Sequence, residues 1–253
     1  MAKVISFSIF KGGTGKTTSA VNTAAALTEL GKRVLLVDLD QQASSTRYVG
    51  IEPEQVTPTF YHAFMKQTPV SVVRRSTPFG FDILPSSSLM AAIEQSLEPG
   101  DEILLREMLK SLQEDYDYIL VDTPPGKAGL AFNGIVAADM LIVPASAERM
   151  AIDGVSDLVN HVQSIIWHKF RDALSHQEIR ILFTMYKAGT THSPGVVQAT
   201  RRIYGGNVLE TIIPETIEFP RSFDMRMPIL SMSPTHPGAQ AYRQLAHWII
   251  NHA

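Results

Sequence analysis

The chain has 253 residues, of which 45% are hydrophobic and 19% are charged, which is ordinary for a globular protein. Its formal net charge of −3 excludes a protein whose whole surface binds polyanions, so any nucleic-acid contact must come from a local basic patch. The absence of cysteine excludes disulfides, thiolate zinc sites, iron–sulfur clusters and cysteine nucleophiles.

No apolar run is long enough to span a bilayer, and the N-terminus lacks the layout of a signal peptide. We therefore expect a soluble cytoplasmic protein. The length favours one domain over residues 1–253.

Apolar runs that are typical of strands alternate along the chain with helix-like segments. The predicted strands are Lys3–Ile9, Arg33–Asp38, Phe81–Leu84, Tyr118–Asp122, Met140–Pro144, Arg180–Met185 and Val208–Ile213. The predicted helices are Lys16–Leu30, Glu102–Glu114, Gly154–Phe170, Pro194–Tyr204 and Gly238–Asn251. Continuous hydrophobic strands indicate burial on both faces of a mainly parallel sheet. The pattern predicts an α/β fold with a doubly wound, mainly parallel sheet flanked by helices, and with ligands at the carboxyl ends of the strands.

Two further local predictions concern turns. Gly31 ends the first predicted helix as its left-handed cap. The stretch Gly50–Pro85 is less regular and contains several prolines, which predicts short helices and loops before the Phe81 strand.

A glycine-rich run joins the first predicted strand to the first predicted helix. Its residues are Lys11, Gly12, Gly13, Thr14, Gly15, Lys16, Thr17 and Thr18. Glycines let backbone N–H groups point inward, and the helix N-terminus adds positive potential, so the run predicts a phosphate cradle. Lys16 can reach the β- and γ-phosphates, and the Thr17 hydroxyl can ligate Mg²⁺. The plain P-loop motif has a glycine where this chain has Phe10, so the run is a variant with an additional lysine at its start.

That additional lysine, Lys11, lies at the loop entrance, where its side chain would point away from its own nucleotide. A cation there could serve a nucleotide in a facing subunit, much as an arginine finger acts in trans. The alternative is a solvated lysine at the end of a strand.

Two acids, Asp38 and Asp40, end the second predicted strand. A carboxylate that emerges there without a partner would be costly to bury, which favours a functional role. Asp40 could orient the attacking water or hold the metal shell, and Asp38 could brace the P-loop or the waters of Mg²⁺. The alternative is that both acids cap the next helix.

Asp122 ends another apolar strand in the Walker-B arrangement, in which the carboxylate binds Mg²⁺ directly or through a water. The segment Thr123–Gly126 that follows could form a switch loop that senses the γ-phosphate. The alternative for this segment is an ordinary proline turn.

The Lys11–Thr18 loop and the strand ends Leu36–Gln42 and Ile119–Gly126 together resemble the ParA/MinD family of deviant Walker-A ATPases, closest to its ParA partition branch. The likeness extends over nearly the whole chain and includes Ala138–Pro144, Phe183–Tyr186, Val208–Pro214 and Gly238–Arg243.

The resemblance implies an ATP hydrolase that uses ATP with Mg²⁺ and closes into a nucleotide-sandwich homodimer. Lys11 matches the signature lysine that crosses to the partner's phosphates, and Asp40 matches the acid needed for hydrolysis. The ATP dimer of such proteins binds double-stranded DNA without sequence preference. A ParB-like adaptor that carries a cargo then stimulates hydrolysis, which implies a cytoplasmic, nucleoid-associated protein that positions a plasmid, a chromosome or a protein organelle.

The chain departs from the family in two places. Gln41 stands where the family usually has proline, which concerns the stiffness of the turn after Asp40. The segment Glu215–Ser222 differs from the commoner basic version. By position, the resemblance places adenine beside Thr184, Met185 and Pro214; the alternative is that these residues belong to the sheet core and a strand-end turn.

Candidate DNA-binding cations are Lys187, Arg201, Arg202, Arg221 and Arg226. The pair Arg201 and Arg202 lines up with basic residues implicated in DNA contact in the family. Alternatively, basic residues at helix C-termini are common partners of the helix dipole.

Three other functions compete with this one. A MinD-like ATPase that cycles on membranes needs a basic amphipathic C-terminal helix, whereas the segment 242–253 has one arginine and no lysine, and we expect Trp248 and Ile249 to face the core. No membrane partner is therefore expected. The absence of cysteine excludes a metal-cluster carrier, and no motif indicates the acceptor pocket of an ATP-dependent biosynthetic ligase.

Overall fold

A computed structural model of the protein describes residues 1–148, 151–170, 177–190 and 192–252. Eight strands form one sheet in this part of the chain. They are β1 (Lys3–Phe7), β2 (Val34–Asp38), β3 (Arg75–Ser76), β4 (Asp82–Leu84), β5 (Tyr118–Asp122), β6 (Met140–Ser146), β7 (Glu178–Tyr186) and β8 (Val208–Pro214). The sheet order is β3-β4-β2-β5-β1-β6-β7-β8, and every neighbouring pair is parallel except β3 with β4.

The helices in the same ranges lie between these strands and after the last one. They are α1 (Lys16–Glu29), α2 (Ser44–Tyr48), α3 (Phe60–Phe64), α4 (Val70–Val73), α5 (Met90–Ser96), α6 (Leu104–Leu109), α7 (Gly129–Ala137), α8 (Ala151–His161), α9 (Trp167–Lys169), α10 (His192–Tyr204), α11 (Glu218–Asp224), α12 (Ile229–Met232) and α13 (Pro237–His252). Short 3-10 turns span Asp101–Ile103, Lys110–Leu112 and Gly205–Asn207, and a π-helical segment spans Val162–Ile166.

The structure confirms the predicted fold class and every predicted strand, with shifts at the ends. The helix predicted over Glu102–Glu114 is α-helical only over α6, because 3-10 turns flank α6 on both sides. The irregular stretch before β4 contains α3 and α4, as expected, and Gly31 has a φ of 75°. The two-residue strand β3 and the helices α2, α5, α7, α11 and α12 were not predicted.

Both faces of the sheet are covered, which explains the continuous hydrophobic strands. Leu35 and Val37 of β2 pack into the core layer that contains α5 to α8. Val34 and Leu36 of the same strand pack into the layer that contains α1, α12 and α13. Because the central strands are parallel, the polar groups at their carboxyl ends meet at one edge of the sheet.

Helix α13 is a packing helix in this fold. Its buried face includes Tyr242, Leu245 and Ile249, and its contacts with α1 are extensive. Ile249 is buried as predicted, whereas Trp248 is half-buried against the same core layer. No helix in the described ranges combines the length and the hydropathy that crossing a membrane requires.

Candidate nucleotide-binding site

The glycine-rich loop lies between β1 and α1 and is held against β7. Gly15 is the N-cap of α1 with a φ of 85°, a left-handed conformation that glycine adopts without strain. The Thr184 hydroxyl, at the end of β7, donates a hydrogen bond of 2.9 Å to the Thr14 carbonyl. A Cβ at Gly15 would lie 3.7 Å from Thr184 Cγ2, so the loop approaches this strand closely. The free N–H groups at the start of α1 can therefore receive phosphate oxygens.

The two lysines of this loop have different surroundings. The Lys16 side chain is buried, and its Nζ donates a long hydrogen bond of 3.4 Å to the Lys11 carbonyl. Burial lowers the pKa of Lys16, and the nearby carboxylates of Asp122 and Asp40 oppose this effect. The Lys11 side chain is exposed, and its ammonium makes no ion pair within the described ranges.

Asp122 ends β5, where it pairs in register with Phe7 of β1 and Asp38 of β2. Its carboxylate is fully buried, and the Ser45 hydroxyl donates to its Oδ2 at 2.8 Å. Its Oδ1 has no hydrogen-bond partner among the described residues. Desolvation raises the pKa of Asp122 to about 6, against the lowering effects of the Thr17 and Ser45 hydroxyls and the Lys16 ammonium.

This arrangement fits a magnesium ion. A buried carboxylate oxygen without a partner, close to the Thr17 hydroxyl, provides the oxygen ligands that Mg²⁺ prefers. The described residues contain no group of three or more His, Cys, Asp or Glu side chains that could hold a metal by themselves. Phosphate oxygens and waters would complete the coordination, as is usual for Mg²⁺ bound with a nucleotide.

Asp38 and Asp40 lie beside Asp122 and have different partners. The Asp38 carboxylate is buried and accepts hydrogen bonds from the Thr46 N–H at 2.9 Å and the Thr46 hydroxyl at 2.7 Å. Burial and the neighbouring Asp122 carboxylate raise the pKa of Asp38 to about 8. Asp40 is half-buried, and its Oδ1 accepts the Gln42 N–H at 2.9 Å. Asp38 thus holds the N-terminal part of α2. Asp40 closes a turn, and its carboxylate favours the charged form of Lys16, which raises the pKa of that lysine.

The loop after Asp122 is joined to the start of the P-loop. The Thr123 hydroxyl donates to the Phe7 carbonyl at 2.9 Å, and the Gly126 N–H donates to the Phe10 carbonyl at 2.8 Å. The Lys127 ammonium, which follows this loop, forms a 2.6 Å ion pair with Asp157 of α8. A change in the position of this loop would therefore reach both the P-loop and α8.

A cavity of 770 Å³ adjoins the P-loop and contains all three residues predicted to lie beside adenine. Thr184, Met185 and Pro214 line it together with Gly15, Thr17 and Thr18. Sequence reasoning missed the rest of its wall, which consists of Ser44, Ile213, Glu215, Thr216, Ile217, Phe219, Pro220, Phe223, Asp224 and Tyr242. The apolar residues of the segment 215–223 were the available signal, since they follow directly on Pro214.

The candidate DNA-binding cations fall into two groups. Lys187 forms an ion pair with Glu215 at 3.2 Å, Arg221 forms one with Glu218 at 2.8 Å, and Arg226 forms one with Glu52. Arg201 and Arg202 are exposed in the last turn of α10 and make no ion pair in the part of the chain that the structure describes. Helix α10 itself contains no acidic residue.

A parallel sheet, a glycine-rich loop that opens α1 and a buried Walker-B aspartate together define a P-loop nucleotide-binding protein. A family model described as an AAA domain matches residues 2–176, and the chain belongs to this family, within the ParA/MinD group of ATPases.

Relatives of this group match nearly the full chain. The chain is 32% identical over 249 residues to the sporulation initiation inhibitor protein Soj of Bacillus subtilis, covering 97% of each. It is 35% identical over 242 residues to the chromosome-partitioning ATPase Soj of Thermus thermophilus, covering 95% of this chain and 92% of the relative.

Solved structures with bound nucleotide share the fold. The cobyrinic acid a,c-diamide synthase of Mycobacterium smegmatis with ADP and magnesium superposes with a TM-score of 0.86 at 30% identity, covering 100% of this chain and 95% of that one. The septum site-determining protein MinD of Pyrococcus horikoshii with Mg-ADP gives 0.81 at 26% identity, covering 98% and 96%. The protein is an ATP hydrolase whose cofactors are ATP and Mg²⁺.

Proposed function

We propose that the protein is a ParA-like positioning ATPase. In its ATP state it forms a sandwich homodimer and binds nucleoid DNA without sequence preference. A ParB-like adaptor that carries a plasmid, a chromosome or a protein organelle stimulates hydrolysis and releases the dimer from DNA. The names of the Soj relatives support the partitioning role.

The contrast between the two P-loop lysines supports the dimer. Lys16 is buried beside the acids of its own site, so it serves the phosphates of its own nucleotide. Lys11 is exposed, and within the described ranges no carboxylate pairs with it. A free cation at the rim of a phosphate site can neutralise transition-state charge in a facing subunit.

The site residues have the following roles in this proposal. Lys16 and the backbone N–H groups of residues 12–18 hold the phosphates, and Thr17 and Asp122 hold Mg²⁺ with Asp40 in its outer shell. Asp40 also orients the attacking water. Thr184, Met185 and Pro214 contact the adenine.

Light scattering of the protein with a non-hydrolysable ATP analogue tests the dimer. Lys11→Gln is compared with Lys66→Gln, because Lys66 is another exposed lysine without an ion pair in the described ranges and lines a separate cavity. We expect the wild type and Lys66→Gln to dimerise and Lys11→Gln to stay monomeric with unchanged ADP affinity. The proposal fails if the wild type stays monomeric or if Lys11→Gln dimerises normally.

The DNA contact is supported by the absence of acidic residues from α10 and of ion pairs to Arg201 and Arg202 among the described residues. Lys187 and Arg221 already have carboxylate partners, so we expect their contribution to be smaller than that of Arg201 and Arg202. Removal of a phosphate-binding cation weakens binding to all sequences and lowers the salt slope by about one per contact.

DNA binding is measured as a function of salt with the ATP analogue present. Substituting both Arg201 and Arg202 with glutamine should lower the affinity and the salt slope, whereas the control Arg221→Gln should change both little. If the double variant loses no more DNA affinity and no more salt slope than Arg221→Gln, then α10 is not the DNA surface.

Two other functions are alternatives to this one. One solved structure of similar fold is named a septum site-determining protein MinD, which keeps a MinD-like membrane-cycling ATPase as the second candidate. Another is named a diamide synthase, which makes ATP-dependent amide formation the third. Against the first, α13 is used for packing, and its Arg243 is held by Glu29 at 2.6 Å. Liposome binding with ATP would favour the first function, and a requirement for a small carboxylic-acid acceptor in turnover would favour the second.

A further inference from the structure

We propose that Ser45 is a positioning residue for magnesium, because its hydroxyl holds one oxygen of Asp122 and leaves the other free to face the metal and its waters. The inference rests on the proposed role of Asp122 in holding Mg²⁺. It adds a residue outside the P-loop and Walker-B motifs to the metal site.

The contact itself is direct and buried. Both side chains are fully buried, and the Ser45 Oγ lies 2.8 Å from Asp122 Oδ2. A serine hydroxyl has one proton to donate, and an ionised carboxylate can only accept, so the direction of this bond is fixed. Asp122 Oδ1 accepts no hydrogen bond of normal geometry from a described residue. The Thr17 hydroxyl, which is the other proposed magnesium ligand, lies close enough to the carboxylate to lower the pKa of Asp122.

Thr46, the residue after Ser45, donates hydrogen bonds to the neighbouring acid Asp38. Thr46 donates its N–H and its hydroxyl to Asp38 Oδ2, and Asp38 lies directly opposite Asp122 in the β2–β5 register. Two carboxylates on adjacent strands repel each other when both are ionised. Ser45 and Thr46 therefore give each acid its own donors and keep the two carboxylates in separate orientations.

Helix α2 can fix the hydroxyl in place because it is anchored at both ends. At its C-terminal end, the Tyr48 hydroxyl lies 2.5 Å from Ser222 Oγ and accepts from Asn22 Nδ2 at 3.2 Å. At its N-terminal end, Ala43 has a φ of 52°, which is uncommon for a residue other than glycine, and its N–H donates to the Asp40 carbonyl at 2.8 Å. Asn22 lies on α1, so the position of Ser45 is tied to the P-loop helix.

Residues that orient metal ligands typically change metal affinity about 10–100-fold when they are removed. A purely structural serine would instead lower stability, or would weaken nucleotide binding equally with and without metal. The dependence of nucleotide affinity on magnesium separates these roles.

The experiment measures ADP affinity by calorimetry at saturating Mg²⁺ and again in EDTA, and Mn²⁺ affinity of the ADP complex by electron paramagnetic resonance. The variants are Ser45→Ala, Ser45→Thr, which keeps the hydroxyl, and Ser156→Ala. Ser156 is a matched control, because it lies on α8, outside the nucleotide cavity, and its hydroxyl is hydrogen-bonded to the Tyr204 hydroxyl of α10 at 2.8 Å. Thermal unfolding checks that each variant is folded.

We expect Ser45→Ala to lose about 10–100-fold in Mn²⁺ affinity and in the magnesium-dependent part of ADP affinity, with the EDTA value unchanged. Ser45→Thr should keep the wild-type metal dependence, although its added methyl lowers thermal stability. Ser156→Ala should keep the wild-type metal dependence as well. Normal metal dependence in Ser45→Ala, or an equal loss in EDTA, would overturn the inference.

Asp122→Asn separates this failure from a failure of the proposed site. If Asp122→Asn keeps its magnesium dependence, then the role of Asp122 is wrong. If it loses that dependence while Ser45→Ala does not, only the role of Ser45 is wrong.

Discussion

Gly134 on helix α7 allows a close approach between that helix and the loop after the Walker-B strand, so Gly134→Ala tests how tightly this loop is held. A Cβ at Gly134 would lie 2.4 Å from Thr123 Cγ2 and 3.3 Å from Leu39 Cδ1. Unstrained carbon contacts are about 3.5–4.0 Å, so the added methyl overlaps Thr123 by roughly 1 Å.

Thr123 cannot turn away cheaply, because its hydroxyl donates to the Phe7 carbonyl at 2.9 Å and lies 3.2 Å from Ser8 Oγ. Overpacking of a well-packed core lowers the free energy of unfolding by about 1–3 kcal/mol. Replacing a helical glycine with alanine raises it by up to about 1 kcal/mol through helix propensity. We therefore expect Gly134→Ala to lower the free energy of unfolding by about 1–2 kcal/mol.

Gly195 on α10 provides the matched control. It is an exposed helical glycine, and a Cβ there would meet no atom within 4 Å. Gly195→Ala should therefore raise the free energy of unfolding by about 0.5–1 kcal/mol through helix propensity alone.

Urea denaturation monitored by circular dichroism measures both changes, and calorimetry measures ADP affinity with Mg²⁺. Because Thr123 follows Asp122, displacement of Thr123 should also weaken Mg-ADP binding in Gly134→Ala but not in Gly195→Ala. The reasoning is refuted if the two variants unfold at the same urea concentration, since the difference between them depends only on the clash.

Three further outcomes follow from the site. Lys16→Ala should abolish nucleotide binding in a fluorescent-ADP titration, because Lys16 is the buried cation of the loop; measurable affinity would contradict its role. Asp40→Ala should retain binding of ATP while phosphate release stops, because Asp40 faces the site from outside the P-loop, and normal turnover would contradict this. The pKa of Asp122 is raised by burial from 3.8 to about 6, so its contribution to stability is present below pH 3.8 and is lost as pH rises through 6. Asn stays neutral at every pH, so nucleotide-free Asp122→Asn should be more stable than the wild type in urea at pH 8, and by a larger margin than at pH 4. The same margin at both pH values would contradict the raised pKa of Asp122.

The elements that sequence reasoning missed have a common cause. Helix α2 is rich in serine and threonine, which favour turns over helix interiors. It is helical because Thr46 finds a carboxylate partner at the end of the preceding strand β2, and Ser45 finds one on β5, which is distant in sequence. Helix α7 contains two glycines that argue against a helix, yet Gly134 is required by the approach of Thr123.

The sequence by itself determined the fold class, the phosphate loop and the acids at the strand ends, because each depends on the order of residues within one short segment. The sites assigned to adenine and to DNA remain proposals, although Thr184, Met185 and Pro214 do meet in one cavity. Only the tertiary structure decided which hydroxyls hold Asp38 and Asp122, and which candidate cations are neutralised by acids and which are free. Two of these pairs are local in the chain, Thr46 with Asp38 and Arg221 with Glu218. The others are not: Ser45 lies 77 residues from Asp122 and Arg226 lies 174 residues from Glu52, and a pattern of neighbouring residues contains no information about such pairs.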